Sequence, residues 1–292
     1  MRTAFIETLY QEALKDEKIF LLVGDLGFSV VEDFKEQFSE RFLNVGVAEQ
    51  NMAGVAAGLA REGFKVFVYS IANFPTFRCL EQIRYDICYH NLDVTIVSVG
   101  AGFAYGALGG SHHATEDIGA LRVIPNMNVY MPSDPEETSF IVKEILKNKG
   151  PSYLRLGRAR EEVLIKKYDY KLGLNILRES NHKKIIISTG SISSKVLNLN
   201  KYSDYSIATI NNLSLCAIKE LQELIQSGLS EIIVFEEHQK QCGLYSFLSE
   251  NLIELYSHGK VIGLPKVFSK SLNGFTNVAG TQDYLRKVNS LL

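Results

Sequence analysis

Short apolar runs recur along the whole chain, at positions 19–23, 65–69, 94–99, 128–131, 184–188, 206–210, 231–235 and 260–262. The stretches between most of them carry their apolar residues at helical spacing instead. Runs such as 185–188 (IIIS) and 232–235 (IIVF) are apolar without alternation, which suits strands buried on both faces. A chain that alternates such strands with helices has few architectures open to it, chiefly parallel sheets with helices laid over both sides. The expected fold class is therefore α/β, in two domains, each a mostly parallel sheet flanked by helices. Between 156 and 183 the pattern weakens, and Arg158, Arg160, Glu161, Glu162, Lys166 and Lys167 crowd together. A linker is expected over 161–182, dividing the chain into domains 1–160 and 183–292. With 292 residues in all, each domain has room for its own core without disulfides or metal.

One helix start can be argued in detail. Asp134 can cap, Pro135 fits the first turn without wasting a donor, and Glu136 and Glu137 place negative charge at the positive dipole end. A helix from 135 to about 148 follows. Charge excludes one class of partner: 31 basic residues against 33 acidic ones, with no Lys/Arg run, leave no footprint for nucleic acid. The first 16 residues carry Glu7, Glu12 and Asp16 and do not read as a signal peptide, and no segment approaches a membrane span. Cys79, Cys88, Cys216 and Cys242 never form a CxxC pair, which fits a reducing compartment, so a cytoplasmic location is expected.

Chemistry can sit in three places. The segment from Gly46 to Ala60 reads as a helix of very small residues with one acid, Glu49, at its start. Gly54 and Gly58 each cost about 1 kcal/mol relative to Ala within a helix, so close approach of another backbone is expected on their face. Glu49 has two readings: a solvated first-turn glutamate favoured by the dipole, or a buried carboxylate holding a proton against a heteroaromatic nitrogen. The second place, from Gly100 to His113, follows a strand and has GxGxxxG spacing. It lacks the apolar face of a phosphate-binding helix and the downstream acid that a dinucleotide fold needs, so a flexible loop over a ligand is expected. Adjacent His112 and His113 diverge and cannot pair on a metal; one is expected to be structural, and His112, at the loop's end, is an acid/base candidate. The third place is 69–77, where Pro75 opens a helix and Phe74 and Phe77 share a face, as core packing or as a platform for a flat ring.

These constellations come together with Asp25-Leu26-Gly27, Gly46-Val47-Ala48-Glu49-Gln50, the phenylalanine pair, Gly109-Gly110-Ser111-His112, and Leu121 to Met127 leading into Met131-Pro132-Ser133-Asp134. In this order they resemble the pyrimidine-binding domain of the transketolase family, which includes 1-deoxyxylulose-5-phosphate synthase. Glu236-Glu237-His238 near Gly243 is similar to the family's third domain. The resemblance implies a transferase using thiamine diphosphate to move a two-carbon ketol unit between sugars. It implies that Glu49 bonds N1′ of the aminopyrimidine and that Phe74 stacks on that ring. Phe77 and Leu80 complete the pocket, and Asp25 lies near the cofactor across a subunit interface. It further implies that His112 moves protons at the substrate oxygen, and that Ser29 and Arg158 lie where the substrate's phosphate binds.

Departures from the family pattern carry information too. Leu80 stands for an aromatic, Leu108 for the aspartate that contacts the donor's hydroxyl, Ser111 for a threonine, and the basic residue expected near Gly100 and Ala101 is replaced. A modified or nucleotide-linked sugar becomes an expected substrate. The Gly-Asp-Gly stretch that holds the diphosphate and Mg2+ in the family has no counterpart here. The resemblance then implies a C-terminal subunit of a split transketolase, assembled as α2β2 with an N-terminal diphosphate-binding subunit that carries the Mg2+; no metal ligand is expected in this chain. Two alternatives remain open: the β subunit of a 2-oxo acid dehydrogenase E1, and a noncatalytic regulatory subunit of the same fold.

Overall fold

The computed structural model describes residues 1–158, 161–166, 169–254 and 266–271. The first part of the chain runs α1 (Arg2–Ala13), β1 (Ile19–Val23), α2 (Glu32–Gln37), β2 (Phe42–Asn44), α3 (Glu49–Arg61), β3 (Lys65–Ile71), α4 (Phe74–Phe77), α5 (Leu80–Gln82), β4 (Val94–Val99), α6 (Asp117–Arg122), β5 (Asn128–Tyr130), α7 (Pro135–Lys147) and β6 (Ser152–Leu156). The remainder runs β7 (Leu174–Arg178), β8 (Asn181–Ser188), α8 (Ser193–Leu197), β9 (Tyr205–Ile210), α9 (Leu215–Gln226), β10 (Glu231–Glu236), α10 (Leu244–Glu254) and β11 (Lys266–Ser271). The first sheet has the order β2-β1-β3-β4-β6-β5 and is parallel throughout. The second has the order β11-β10-β8-β9-β7, with β7 antiparallel to β9 and the other pairs parallel. The α/β class expected from the alternation is the class observed.

Successive strand residues feed opposite layers, as a doubly covered sheet requires. Leu21, Val23, Phe67 and Tyr69 pack with Phe5 and Leu9 of α1 and Ile141 and Ile145 of α7. Their neighbours Phe20, Leu22, Val66 and Val68 pack on the other side with Met52, Ala53 and Ala56 of α3 and with Ile118 and Leu121 of α6. Asp134 caps α7 as expected, its Oδ1 accepting the Glu137 amide at 2.7 Å, while Glu137 Oε2 reaches back to accept the Ser133 amide at 2.6 Å. The two carboxylates thus satisfy backbone donors reciprocally, in the manner of a capping box shifted by one residue.

Four strands escape the sequence pattern. β2 is only three residues long, β6 carries an arginine, β7 lies inside the stretch 161–182 expected as a linker, and β11 lies beyond the last of the apolar runs. β7 is a sheet edge whose apolar residues, Leu174, Ile176 and Leu177, are outnumbered in their surroundings by charges, and its antiparallel pairing with β9 supplies order that local sequence does not. The run at 260–262 lies outside the described residues. Among the described residues no helix is long and apolar enough to cross a membrane.

The two sheets meet along a polar seam. Asp134 Oδ2 accepts the Tyr170 hydroxyl at 2.7 Å and the Leu164 amide at 2.9 Å; Glu137 Oε1 accepts Asn211 Nδ2 at 2.9 Å. Burial pushes the Glu137 carboxyl up to about 7. A carboxyl raised on folding binds its proton more tightly in the folded state, so its stabilising contribution is complete below about 4.5 and is lost as pH rises through 7, about 3 kcal/mol in all. Urea titrations between pH 4.5 and 8 should show this loss for the native chain, and Glu137→Ala should remove that part of the slope. Equal slopes in the two proteins would refute it.

Candidate active site

All parallel strands of the first sheet end on the same side, so the segments that follow them gather at one edge. The order runs outward from β1 in one direction to β2 and in the other to β3, so the crevice between β1 and β3 is a switch point where α/β folds place ligands. Asp25 and Ser29 follow β1, Glu49 opens α3 after β2, Phe74 and Phe77 follow β3, the glycine loop follows β4 and Arg158 follows β6.

Glu49 is the centre of this edge. It is buried, 3% exposed, at the first position of α3, with the end of β1 at Gly24 beside it: a Cβ on Gly24 would stand 3.7 Å from Glu49 Oε1. The solvated reading of this residue does not hold. Ser70 donates its hydroxyl to Oε1 at 3.3 Å, and Arg78 Nη1 donates to Oε2 at 3.1 Å. An open cavity of about 480 Å³, lined by Val47, Ala48, Glu49, Gln50, Asn51 and Arg78, lies against this carboxylate.

Arg78 was invisible to sequence reasoning, because its partner is 29 residues away and nothing local marks it. Its guanidinium also lies over the Phe74 ring, 3.8 Å from the centroid, so one face of Phe74 is covered. The other aromatic of the pair, Phe77, is 41% exposed, and Leu80 is half-buried. Phe74 in turn meets His112 edge-on at 5.3 Å between centroids, which links the glutamate and histidine regions through one ring.

The glycine loop contains only short 3-10 turns, at Gly106–Leu108 and Gly110–His112, as the lack of an apolar face predicts. His113 is the structural histidine of the pair: it is buried and its Nε2 bonds the Gly106 carbonyl at 3.1 Å. His112 is half-buried, with Nδ1 bonded to Ser111 Oγ at 3.0 Å. Asn73 fixes the loop from below, its Nδ2 donating to the carbonyls of Ser111 and His113 at 3.3 and 2.5 Å, while its Oδ1 is buried without a hydrogen-bond partner.

Other expected residues lie at the rim. Asp25 is exposed and left-handed at φ 56°, held by Asn44 Nδ2 at 3.0 Å. Ser29, also exposed and left-handed at φ 61°, donates its amide to Glu32 Oε1 at 2.7 Å. Arg158 is exposed, its guanidinium 5.2 Å from the Tyr105 centroid on the glycine loop. The face of α3 at Gly54 and Gly58 is open: no atom of the described residues comes within 4 Å of a Cβ placed on either, so the backbone approach expected there is not made among them.

An aminopyrimidine offers a ring nitrogen that binds a protonated or proton-sharing carboxyl and an amino group that needs an acceptor. The buried Glu49 carboxyl lies against the cavity, where it can hold a proton shared with such a nitrogen, so the residues present fit thiamine diphosphate's pyrimidine half.

Residues 1–161 match the family model described as "Transketolase, pyrimidine binding domain". Over its length the chain is 33% identical to an apulose-4-phosphate transketolase subunit of Phocaeicola vulgatus, covering 90% of this chain and 87% of that protein. It is also 33% identical to a putative transketolase C-terminal section of Methanocaldococcus jannaschii, covering 93% and 88%. A solved split-gene transketolase, an inactive β4 tetramer, superposes with a TM-score of 0.82 at 31% identity over 100% of this chain and 97% of that one. With its pyrimidine-domain match and a likeness that extends over both sheets, the chain belongs to the transketolase family, as a C-terminal subunit of the split kind.

Proposed function

We propose that this chain supplies the pyrimidine half of a thiamine diphosphate-dependent transketolase, active in an α2β2 assembly with a separate subunit that binds the diphosphate and Mg2+. The observation that carries this reading is Glu49, a carboxylate buried at a switch-point crevice with a cavity in front of it. Thiamine diphosphate, when bound, supplies the carbon nucleophile that cleaves and re-forms the bond beside a ketose carbonyl. Glu49 holds a proton at N1′ of the aminopyrimidine, and Arg78 gives up its bond to Glu49 for this to happen. Phe74 and Phe77, with Leu80 behind them, wall the ring. Because Ser111 holds His112 by Nδ1, the imidazole presents Nε2 to the substrate and moves protons at its carbonyl and hydroxyl oxygens.

Arg158 and Ser29 stand at the rim, where they bind an anionic end of the substrate, and Asp25, held by Asn44, lies near the cofactor across the subunit interface. Leu108 is 56% exposed where the resemblance implies an aspartate, and this supports a donor sugar other than an ordinary pentose phosphate. The open Gly54 and Gly58 face of α3, with Val47 exposed near its start, supports a subunit packed against it.

The test is reconstitution with the diphosphate-binding chain, thiamine diphosphate and Mg2+, followed by a donor screen. Transfer of a two-carbon unit from a ketose to an aldose is the expected result. Decarboxylation of a 2-oxo acid instead would assign the chain to a 2-oxo acid dehydrogenase E1, and cofactor binding without turnover of any donor would make it a noncatalytic subunit.

A further inference from the structure

The loop carrying His112 is closed at its neck. Gly102 and Ala114 exchange two backbone hydrogen bonds of 2.9 Å each, so residues 103–113 form one excursion from a two-bond base. That base rests on the second half of the chain. Gly102 is left-handed at φ 60°, and a Cβ on it would stand 2.5 Å from Glu237 Cβ. Next to the neck, the Gln239 amide donates to the Thr115 carbonyl at 2.7 Å.

Arg155 of β6 joins these parts. It is 2% exposed, and its guanidinium has donors committed in three directions. Nη2 donates to the Ala114 carbonyl at 2.8 Å and to the Glu237 carbonyl at 3.0 Å; Nε donates to Asp117 Oδ2 at 2.7 Å. Asp117, fully buried, also accepts the Tyr153 hydroxyl at 2.5 Å, and His238 Nε2 lies 4.0 Å from its Oδ1. Burial alone would raise the Asp117 carboxyl, but Arg155, His238 and the Tyr153 hydroxyl together outweigh it and hold the group below its usual range. The pair is therefore ionised, and the planar fork can neither rotate nor retract without leaving buried acceptors unpaired.

Ala114 is two residues from His112. A guanidinium that fixes the Ala114 carbonyl fixes the end of the loop from which the imidazole projects, while Asn73 fixes the carbonyls of Ser111 and His113. We propose that Arg155 is a positioning residue, a buried guanidinium through which the 236–239 segment of the second half sets the pose of the His112 loop. This rests on the reading of His112 as the proton carrier, and it gives the second half a part in the chemistry. A displacement of about 1 Å in such a group can cost about 10²-fold in rate.

The test has two arms, both on the full chain, with Arg155→Lys and Gly102→Ala as variants. Lysine keeps a charge for Asp117 but has no fork to span Ala114 and Glu237. The alanine keeps the Arg155 and Asp117 side chains while its Cβ, at a left-handed position, pushes the neck off Glu237, so it reads the contact of the neck with the second half if the lysine variant does not fold. Hydrogen exchange is read first, on the chain itself. Amides of 103–113 should exchange about tenfold faster or more in both variants, with β4 and β8 unchanged. Kinetics of the complex with the diphosphate-binding chain are read second: kcat should fall by about 10²-fold, with KM staying within about threefold of the native value. Loop exchange unchanged in both variants overturns the proposal, as does a uniform rise over the whole chain, or a loosened loop with native kcat. If the native complex transfers no ketol unit, the functional reading fails, and the exchange arm alone decides whether Arg155 and Glu237 hold the loop.

Discussion

Glu49→Gln is expected to lower turnover of the reconstituted complex by about 10²- to 10⁴-fold while leaving the fold and the assembly intact. The substitution keeps the size of the side chain and an oxygen for the Ser70 hydroxyl, which now lies 3.3 Å from Oε1. What it removes is the group that can share a proton with a ring nitrogen, and the charge that Arg78 meets at 3.1 Å. Arg78 is 46% exposed at its side chain, so its loss of a partner is absorbed by water and costs little stability. The expected separation is therefore wide: a large kinetic defect beside a melting temperature within a few degrees of native. Steady-state rates and thermal melts on the same preparations check it. A variant that keeps activity within about threefold of native would remove Glu49 from the proton-handling role.

Asp134→Ala is expected to be the costliest single change in stability among these, about 3–5 kcal/mol. One carboxylate, fully buried, serves both halves of the chain. Its Oδ1 caps α7 through the Glu137 amide, and its Oδ2 takes the Leu164 amide and the Tyr170 hydroxyl. Loss of a cap costs about 1 kcal/mol, and each buried donor left without an acceptor costs about 1–3 more. Asp134→Asn should fall between, because its single oxygen can keep the cap or the two seam donors but not all three. Urea unfolding of the two variants measures the order. A loss under about 1 kcal/mol for alanine would mean that the seam relaxes onto water.

The fold class was legible because it depends on periodicity, and periodicity is local. The Asp134 cap was legible for the same reason: residue type and position within a few residues suffice. β6 was not, since its Arg155 reads as polar until Asp117, 38 residues earlier, is placed beside it. β7 was hidden by the charges around it and gains its order from β9, which comes later in the chain. At the candidate site, the sequence placed Asp25, Phe74 and the loop of His112 after strands it could read, whereas Glu49 and Arg158 follow β2 and β6, and parallel pairing brings all five to one edge. Arg78 and Asn73 were missed, because a salt bridge to Glu49 and hydrogen bonds to loop carbonyls leave no trace in local pattern. The sequence singled out His112 by its place at the loop's end and by the resemblance; what holds His113, the Gly106 carbonyl, leaves no mark in local pattern.

β5 ends the first sheet, and an end strand ordinarily presents a free row of amides and carbonyls. Here that row is occupied: Tyr130 bridges Asn212, the Met131 amide donates to the Asn211 carbonyl at 2.7 Å, and the Leu213 amide donates to the Val129 carbonyl at 3.2 Å. Three residues from the second half thus cover an edge that would otherwise be a template for strand-by-strand aggregation. Cut between the sheets, the first half would keep its core but expose this edge, so the connection of the two halves in one chain protects solubility as well as geometry.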